Sequence, residues 1–216
     1  MSIPSRTQVE RSSTSAERLR LALADLVIEQ GYISTTAAEI GVRAGYSRAM
    51  VRERYGSKDA LLIALQREYE ELLVGDSTGL EGATGLDSLL AGFDRLLSFA
   101  RDHPRLLRAI LIVSLEGAAG NHLMRPEVRR WLELLVGQFE LWLTAGQNDG
   151  SIRADLDASA ESEQLVVEAI GHAYRWIQTD IAVGFTDRIE SWRNRVVRHL
   201  ASGRRRGEGR TQPVEN

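Results

Sequence analysis

The residues best suited to chemistry in this sequence are arginines in a short segment that has a glycine at either end. Residues 46–55 read Tyr-Ser-Arg-Ala-Met-Val-Arg-Glu-Arg-Tyr. At 3.6 residues per turn, Val51 and Tyr55 share one face of a short helix and can pack inward. Arg48 and Arg52 then share the opposite face, beside small or flexible side chains. Such a face is suited to a groove of double-stranded DNA.

Other kinds of site have little support. The 216 residues include no cysteine, which excludes disulfide frameworks, cysteine nucleophiles and thiolate zinc sites. None of the four histidines has a partner histidine or carboxylate at a familiar metal-binding spacing. No nucleophile–base pair or phosphate-binding loop is visible either. We therefore expect no metal, no cofactor and no enzymatic activity.

Charge and hydropathy favour a soluble cytoplasmic protein that meets a polyanion with one end. No apolar run approaches the roughly 18 residues of a membrane-spanning helix, and the N-terminus lacks the apolar stretch of a signal peptide. The net charge of −3 is unevenly distributed. Residues 1–62 carry +2, residues 63–203 carry −7, and the remainder carries +2. A mildly basic N-terminal unit on an acidic body is expected when only one part meets a nucleic acid.

The elements that would position the arginines are helices. Almost every segment repeats its apolar residues with helical period, and no hairpin signal separates alternating runs. The sequence therefore predicts an all-α protein of about nine helices. Gly31 is expected to end the first helix, and His103-Pro104 to end one helix and start the next. A long helix is expected from Pro126 to about Ala145. Four of the predicted helices lie before about residue 73, and the residues expected to cap them are Thr14, Thr36 with Glu39 as a capping box, Ser47 and Ser57.

The second and third of these helices, broken at residues 44–46, have the form of a helix-turn-helix, in which the second helix enters the major groove. Further residues stand at fixed spacings around them: Gly31-Tyr32, Thr35-Thr36, Glu39-Ile40-Gly41, Ala44-Gly45-Tyr46-Ser47, Met50-Val51, Tyr55, Ser57-Lys58 and Leu61-Leu62. With these residues, the region from about 18 to 65 resembles the N-terminal domain of TetR-family transcriptional regulators.

Three positions depart from the family pattern. The family usually has alanine where Gly41 stands, phenylalanine where Tyr55 stands and tyrosine where Arg52 stands. Glycine inside a helix costs roughly 1 kcal/mol relative to alanine. Arg52 replaces a residue that often contacts the DNA backbone, and an arginine can bind either a phosphate or a guanine edge. Both roles remain open for it.

The resemblance implies a domain organisation. It predicts a flexible arm over residues 1–13, an N-terminal three-helix DNA-binding domain over 14–62 and a larger helical ligand-binding and dimerisation domain over 63–202. Helix four would continue to about residue 73 as a connector, and residues 203–216 would form a disordered tail. Arginines in the arm and tail are expected to be solvated rather than bound to DNA: Arg6, Arg11 and Arg204–Arg206.

The resemblance also implies roles at an operator in double-stranded DNA. Arg48 and Met50 would lie nearest to base edges, and Ala49 would allow close approach or meet a thymine methyl group. Arg52 would bind a base or a phosphate. The expected phosphate contacts are Thr36, Ser47 and Lys58, with Arg43 and Arg54 on the flanks.

For the body, the resemblance implies a small-molecule pocket and a homodimer. The candidate pocket residues, each also compatible with plain core, are Trp131, Phe139, Trp142, His172, Tyr174 and Trp176. The candidate dimer contacts are Ile170, Ile189, Trp192 and Val196. An aromatic-rich pocket predicts an apolar or aromatic effector of drug-like size. Arg108 and Arg175 would favour an anionic effector instead if they faced inward.

The favoured interpretation is a homodimeric, ligand-responsive DNA-binding regulator, most often a repressor in such a family. One alternative is a regulator that acts mainly through protein partners with weak DNA binding. The other is a helical enzyme that uses the aromatic body as a substrate pocket, which has the least support from the residues present.

Overall fold

Nine α-helices make up the part of the chain that the computed structural model describes, residues 8–74, 82–119, 124–179 and 184–202. They are α1 (Gln8–Gln30), α2 (Ala37–Arg43), α3 (Met50–Tyr55), α4 (Lys58–Val74), α5 (Gly85–Asp102), α6 (Pro104–Ala119), α7 (Arg125–Asp149), α8 (Ala158–Ile177) and α9 (Phe185–Leu200). Within these ranges the only β-type pairing is an isolated bridge between Ile152 and Ala201. The expected all-α architecture is confirmed.

Two helices extend beyond their predicted bounds. α1 begins at Gln8, so residues 8–13, which we expected in a flexible arm, are helical. The residues upstream of Thr14 are all compatible with helix, and a capping pattern does not prevent them from continuing it. α7 runs to Asp149 rather than to about residue 145, and Gly150 ends it in the left-handed conformation. The predicted tail lies outside the described residues.

The predicted start of α2 is confirmed in detail. The backbone N–H of Glu39 donates to the Thr36 hydroxyl at 3.2 Å, and the backbone N–H of Thr36 donates to the Glu39 carboxylate at 2.8 Å. This reciprocal pair satisfies two donors that a helix start leaves open. It therefore fixes where α2 begins relative to the loop after α1.

A continuous apolar core joins the N-terminal helices to the body. In the N-terminal part, Leu23, Ile40, Val51 and Leu61 are fully buried. α1 also packs along α6, α7 packs against α5 and α8, and α9 packs against α5. No helix of the described ranges is both long enough and apolar enough to cross a membrane.

Polar contacts reinforce the junction between α1 and α6. The backbone N–H of Tyr32, just past the end of α1, donates to both carboxylate oxygens of Glu116 at 3.1 and 3.3 Å. Arg105, near the start of α6, pairs with Asp25 of α1 at 3.2 Å. The two ends of α6 are thus attached to the same helix of the N-terminal unit.

Candidate nucleic-acid interface and effector cavity

The predicted base contacts lie in α3 and in the turn that precedes it. Val51 is fully buried and anchors the helix, while Arg48, Ala49 and Arg52 are exposed. Met50 is half-buried at the border of this face, also as expected. The result is an exposed surface that carries two arginines and a small alanine side chain, a composition that fits a DNA groove.

The start of α3 differs from the prediction. The helix begins at Met50 with Ala49 in the N-cap position, and no side chain caps it. Ser47 therefore does not cap α3; its backbone oxygen instead accepts the N–H of Met50 at 3.2 Å. Residues 48 and 49 form a turn between Ser47 and the helix. The Ser47 side chain remains exposed and accessible to a phosphate.

Thr36 lies exposed at the start of α2, where a phosphate contact was predicted. Its hydroxyl also donates to the Glu39 carboxylate at 2.7 Å. The hydroxyl and backbone N–H of Thr36 hold the pKa of Glu39 below its ordinary value, so the carboxylate stays ionised. An approaching phosphate would therefore meet a Thr36 hydroxyl that already has a partner.

Arg43 and Arg54 are also engaged within the chain. Arg43 forms a bidentate pair with Glu29 of α1, with both N–O distances at 2.7 Å. Arg54 donates to the Ser15 hydroxyl at 2.6 Å. The Arg43 pair is exposed, and exposed pairs contribute little, so a phosphate can replace Glu29 as the partner of Arg43.

Lys58 is placed differently from the prediction. As the first residue of α4, it donates from Nζ to the carbonyl oxygens of Tyr32 at 2.8 Å and Thr35 at 2.7 Å, with Ile33 at 3.5 Å. Burial lowers the pKa of this ammonium group, while Asp59 opposes the shift. With three carbonyls around its three N–H groups, Lys58 holds the loop between α1 and α2. Two of its three N–H groups thus form short hydrogen bonds within the chain.

An apolar cavity of about 130 Å³ lies among the helices of the body. Three predicted pocket residues, Trp131, Phe139 and Trp142, line it. The other described residues around it are Tyr69, Gly92, Phe93, Leu96, Leu107, Leu111, Ser114, Leu115, Leu132, Leu135, Gln138, Val166, Ala169, Ile170, Ala173, Phe185, Ile189 and Trp192. The volume is below the roughly 300–1,000 Å³ of drug-sized pockets, so the predicted drug-like size of the effector is not supported.

The other three predicted pocket residues lie elsewhere. Tyr174 is exposed, and Trp176 is buried outside the cavity, with its ring stacked on Phe185 at 4.4 Å between centroids. His172 packs on the outer side of Trp192 at 5.1 Å. The face of α8 that meets the cavity is instead the one with Val166 and Ala173. The prediction was wrong because α8 has apolar residues around most of its circumference.

Three of the four predicted dimer contacts are internal to one chain. Ile189, Trp192 and Val196 are buried between α9 and its neighbours, and the first two line the cavity. Their side chains therefore pack mainly within one chain and leave little surface for a second copy to contact. Ile170 alone is partly exposed, because it lies at the edge between the cavity and the surface.

The two arginines considered for an anionic effector do not face the cavity. Arg108 donates to the carbonyl oxygens of Trp176, Ile177 and Thr179 at 3.2, 2.8 and 2.8 Å, which satisfies the C-terminus of α8. Arg175 is exposed on the surface of that helix. No described residue that lines the cavity is charged. In the described ranges there is also no cluster of three His, Asp or Glu side chains suited to a metal ion.

Sequence reasoning missed the contribution of α4 to the cavity. Tyr69 forms part of the wall, with its ring 5.0 Å from that of Phe99 and 5.7 Å from that of Trp131. The available signal was a tyrosine on the apolar face of the connector helix. Gln138 of α7 was also missed, because a single glutamine in a long helix gives no sign of its direction.

Comparisons with known proteins agree with this geometry. Residues 21–65 match the family model of bacterial regulatory proteins, tetR family. No protein with a curated function matches the sequence significantly. The matched segment contains α2, α3 and the fully buried residues that hold them.

Solved structures resemble the whole chain. The SmeT–triclosan complex has a TM-score of 0.72 at 17% identity, covering 94% of this chain and 99% of that one. The MbdR regulator from Azoarcus sp. CIB has a TM-score of 0.70 at 18% identity, with 87% and 100% covered. NalD from Pseudomonas aeruginosa, the secondary repressor of the MexAB-OprM multidrug efflux pump, has a TM-score of 0.65 at 17% identity, with 88% and 99% covered.

Proposed function

We propose that this chain, a TetR-family regulator by its N-terminal domain and its fold, is a repressor that binds an operator as a homodimer and is released by a small apolar molecule. The observation that carries the proposal is the exposed surface at the start of α3, where Arg48 precedes the helix, Arg52 lies within it and Val51 is fully buried. The likeness to NalD, itself a repressor, supports repression over activation.

At the operator, Arg48 reads a base edge in the major groove, and Arg52 contacts the next base or its phosphate. Ala49 and Met50 lie between them and meet the groove without a steric barrier. Ser47, Thr36, Arg43 and Arg54 contact phosphates around the recognition helix. Lys58 contributes indirectly, because it fixes the loop from which α2 starts.

A second copy of the chain pairs along α8. Val167, Ile170 and Tyr174 lie on one face of this helix and are 59%, 37% and 52% exposed. Val167 and Ile170 also line a surface groove between α7 and α8, together with the apolar residues Val128 and Val136. An exposed apolar face of this kind is typical of an interface. The groove also carries both signs of charge, at Arg125, Arg129, Glu133, Glu140 and Glu163, which a two-fold interface can pair with itself.

Dimerisation would place two α3 helices on a pseudo-palindromic site, since half-site spacing mirrors protein symmetry. An effector in the cavity contacts α4 through Tyr69, and the first residue of α4, Lys58, holds the loop from which α2 starts. A shift of α4 would then change the spacing of the two recognition helices. A coupling of roughly 1–3 kcal/mol, typical of allosteric proteins, would reduce operator affinity about 5–150-fold.

Selection from random double-stranded DNA tests this function, followed by mobility shifts with the DNA that flanks the protein's own gene. We expect an enriched pseudo-palindrome that binds one dimer, and we expect the Arg48→Ala, Arg52→Ala double variant to lose the preference for it. Failure to enrich any sequence would contradict operator binding and favour a regulator that acts through protein partners.

A further inference from the structure

Tyr69 is the one residue of α4 among those that line the cavity, and it is only 4% exposed. Its ring is held between those of Phe99 and Trp131. In the described part of the chain its hydroxyl has no hydrogen-bond partner, although buried hydroxyls are normally paired. Burial raises the pKa of this phenol, so it remains a neutral donor. The cavity wall therefore contains a phenol whose hydroxyl makes no hydrogen bond to the described residues and is available to a ligand.

The other polar groups of the wall are few. Ser114 donates its hydroxyl to the carbonyl oxygen of Ile110, one turn earlier in α6, at 2.9 Å. The Trp192 indole N–H donates to Glu168, outside the cavity. Gln138 is half-buried, and its amide has no partner among the described residues. Tyr69, Gln138 and the indole N–H groups of Trp131 and Trp142 are thus the polar groups of the described wall that can orient a ligand, and among these side chains the Tyr69 hydroxyl is the one that α4 contributes.

We propose that the cavity binds an uncharged, mainly apolar molecule of about one substituted ring, with a single oxygen function held by the Tyr69 hydroxyl. The volume of about 130 Å³ is close to that of a protein cavity that holds benzene. A carboxylate or phosphate is excluded, because no described lining residue is charged and a buried unpaired anion is strongly unfavourable.

Tyr69 also offers a route by which a bound ligand can affect DNA binding, because it belongs to α4. This part of the inference rests on the proposed function. Its neighbour Glu70 is buried and accepts two hydrogen bonds from Arg130 of α7 at 2.6 and 2.7 Å. α4 is therefore fastened to the cavity wall at Glu70 and to the α1–α2 loop at Lys58, about three turns earlier. A ligand that pulls on Tyr69 acts on the segment between these two attachments.

Calorimetric titration of the full chain with three matched ligands tests the proposal: 4-propylphenol, propylbenzene and 4-propylbenzoate. For the wild type we expect the phenol to bind roughly fivefold more tightly than the hydrocarbon, the usual effect of one neutral hydrogen bond, and the benzoate not to bind measurably. Tyr69→Phe should abolish the advantage of the phenol and leave the affinity for propylbenzene unchanged. Tyr46→Phe, a matched change at a half-buried tyrosine that does not line the cavity, should alter none of the three affinities.

Three results would overturn the proposal. They are an absence of binding by all three ligands, binding of the benzoate as tight as that of the phenol, and a phenol preference that survives in Tyr69→Phe. If that preference disappears in Gln138→Leu instead, the orienting group is Gln138. The wild-type comparison needs no variant, so it stands even if Tyr69→Phe misfolds.

Mobility shifts with the selected operator distinguish this inference from the proposed function. Ligand discrimination without release of DNA would leave the specificity of Tyr69 standing and refute release by an effector. Operator binding by a protein that discriminates none of the three ligands would refute the assignment of Tyr69 and leave DNA recognition standing.

Discussion

Gly41 in α2 and Ser47 in the turn before α3 touch through their backbones. A β-carbon built at position 41 would lie 2.3 Å from the carbonyl oxygen of Ser47. The carbonyl oxygen of Gly41 also accepts the N–H of Tyr46 at 2.9 Å. The glycine that departs from the family pattern is therefore what allows α2 and the turn to lie this close, and it helps to set the direction of α3.

The substitution Gly41→Ala should lower the free energy of unfolding by about 1–3 kcal/mol, because backbone atoms rather than a flexible side chain must move aside. It should also weaken operator binding, since α3 is displaced. Thermal denaturation and mobility shifts measure the two effects. Gly137→Ala is the matched control: it lies inside α7 with open space around a β-carbon, and should stabilise by about 0.4–1 kcal/mol. A Gly41→Ala protein as stable as this control would contradict the close approach.

Substitutions at Lys58 and at Arg48 should have different effects: the first should lower stability, and the second should weaken DNA recognition. Lys58→Met removes the donor to the carbonyls of Tyr32 and Thr35, and should cost about 1–3 kcal/mol of unfolding free energy because buried acceptors lose their partner. Arg48→Ala should leave stability within about 0.5 kcal/mol but reduce operator discrimination by about 1–3 kcal/mol.

The salt dependence of DNA binding gives the decisive comparison for Lys58. If Lys58 instead bound a phosphate, its loss would lower the slope of log affinity against log salt by about one, at unchanged stability. If Lys58 instead holds the α1–α2 loop, as its contacts indicate, Lys58→Met should lower the melting temperature and leave the salt dependence of DNA binding unchanged.

The sequence alone correctly predicted the features that depend on local signals. Gly31, the Thr36–Glu39 capping box and Pro104 marked helix ends that the structure confirms. Spacing alone identified the exposed face of α3, because Val51 is the single strongly apolar residue at its centre and had to face inward. These features depend on a few neighbouring residues, and so they can be inferred without knowing the tertiary fold.

The sequence did not show which face of a helix, or which side chain, points into the interior of the tertiary fold. α8 has apolar residues both toward the cavity, such as Val166, and toward the surface, such as Val167, so its pattern does not reveal which face is internal. Likewise, a lysine at the start of α4 has the same sequence context whether it faces DNA or the carbonyls of the preceding loop. Only the path of residues 32–35 decides between these two positions.

The dimer surface can be tested by charge insertion on α8. Val167→Glu together with Tyr174→Glu should yield folded monomers that lose operator binding, because both side chains are exposed in the single chain and are proposed to meet a second copy. Sedimentation and circular dichroism measure assembly and folding.

Leu141→Glu, at an exposed leucine of α7 outside the proposed interface, should leave the dimer intact. Trp192→Glu should unfold the protein instead, since Trp192 is core. A wild-type monomer at micromolar concentration would exclude the interface altogether.

His172 should make stability depend on pH. It lies half-buried against the Trp192 ring at 5.1 Å, and burial, with Arg195 and Arg188 in support and Glu168 opposed, lowers its pKa. The folded state thus favours the neutral imidazole, whereas the unfolded chain takes up a proton near pH 6.5. The contribution of His172 is therefore fully present above about pH 6.5 and is lost as the pH falls toward its folded pKa.

Chemical denaturation from pH 8 to pH 5 should show a steeper loss of stability in the wild type than in His172→Phe, which keeps an aromatic ring against Trp192. His103→Gln, at an exposed histidine, should retain the wild-type slope. Equal slopes for the wild type and His172→Phe would show that this imidazole takes up its proton as readily in the folded protein as in the unfolded chain.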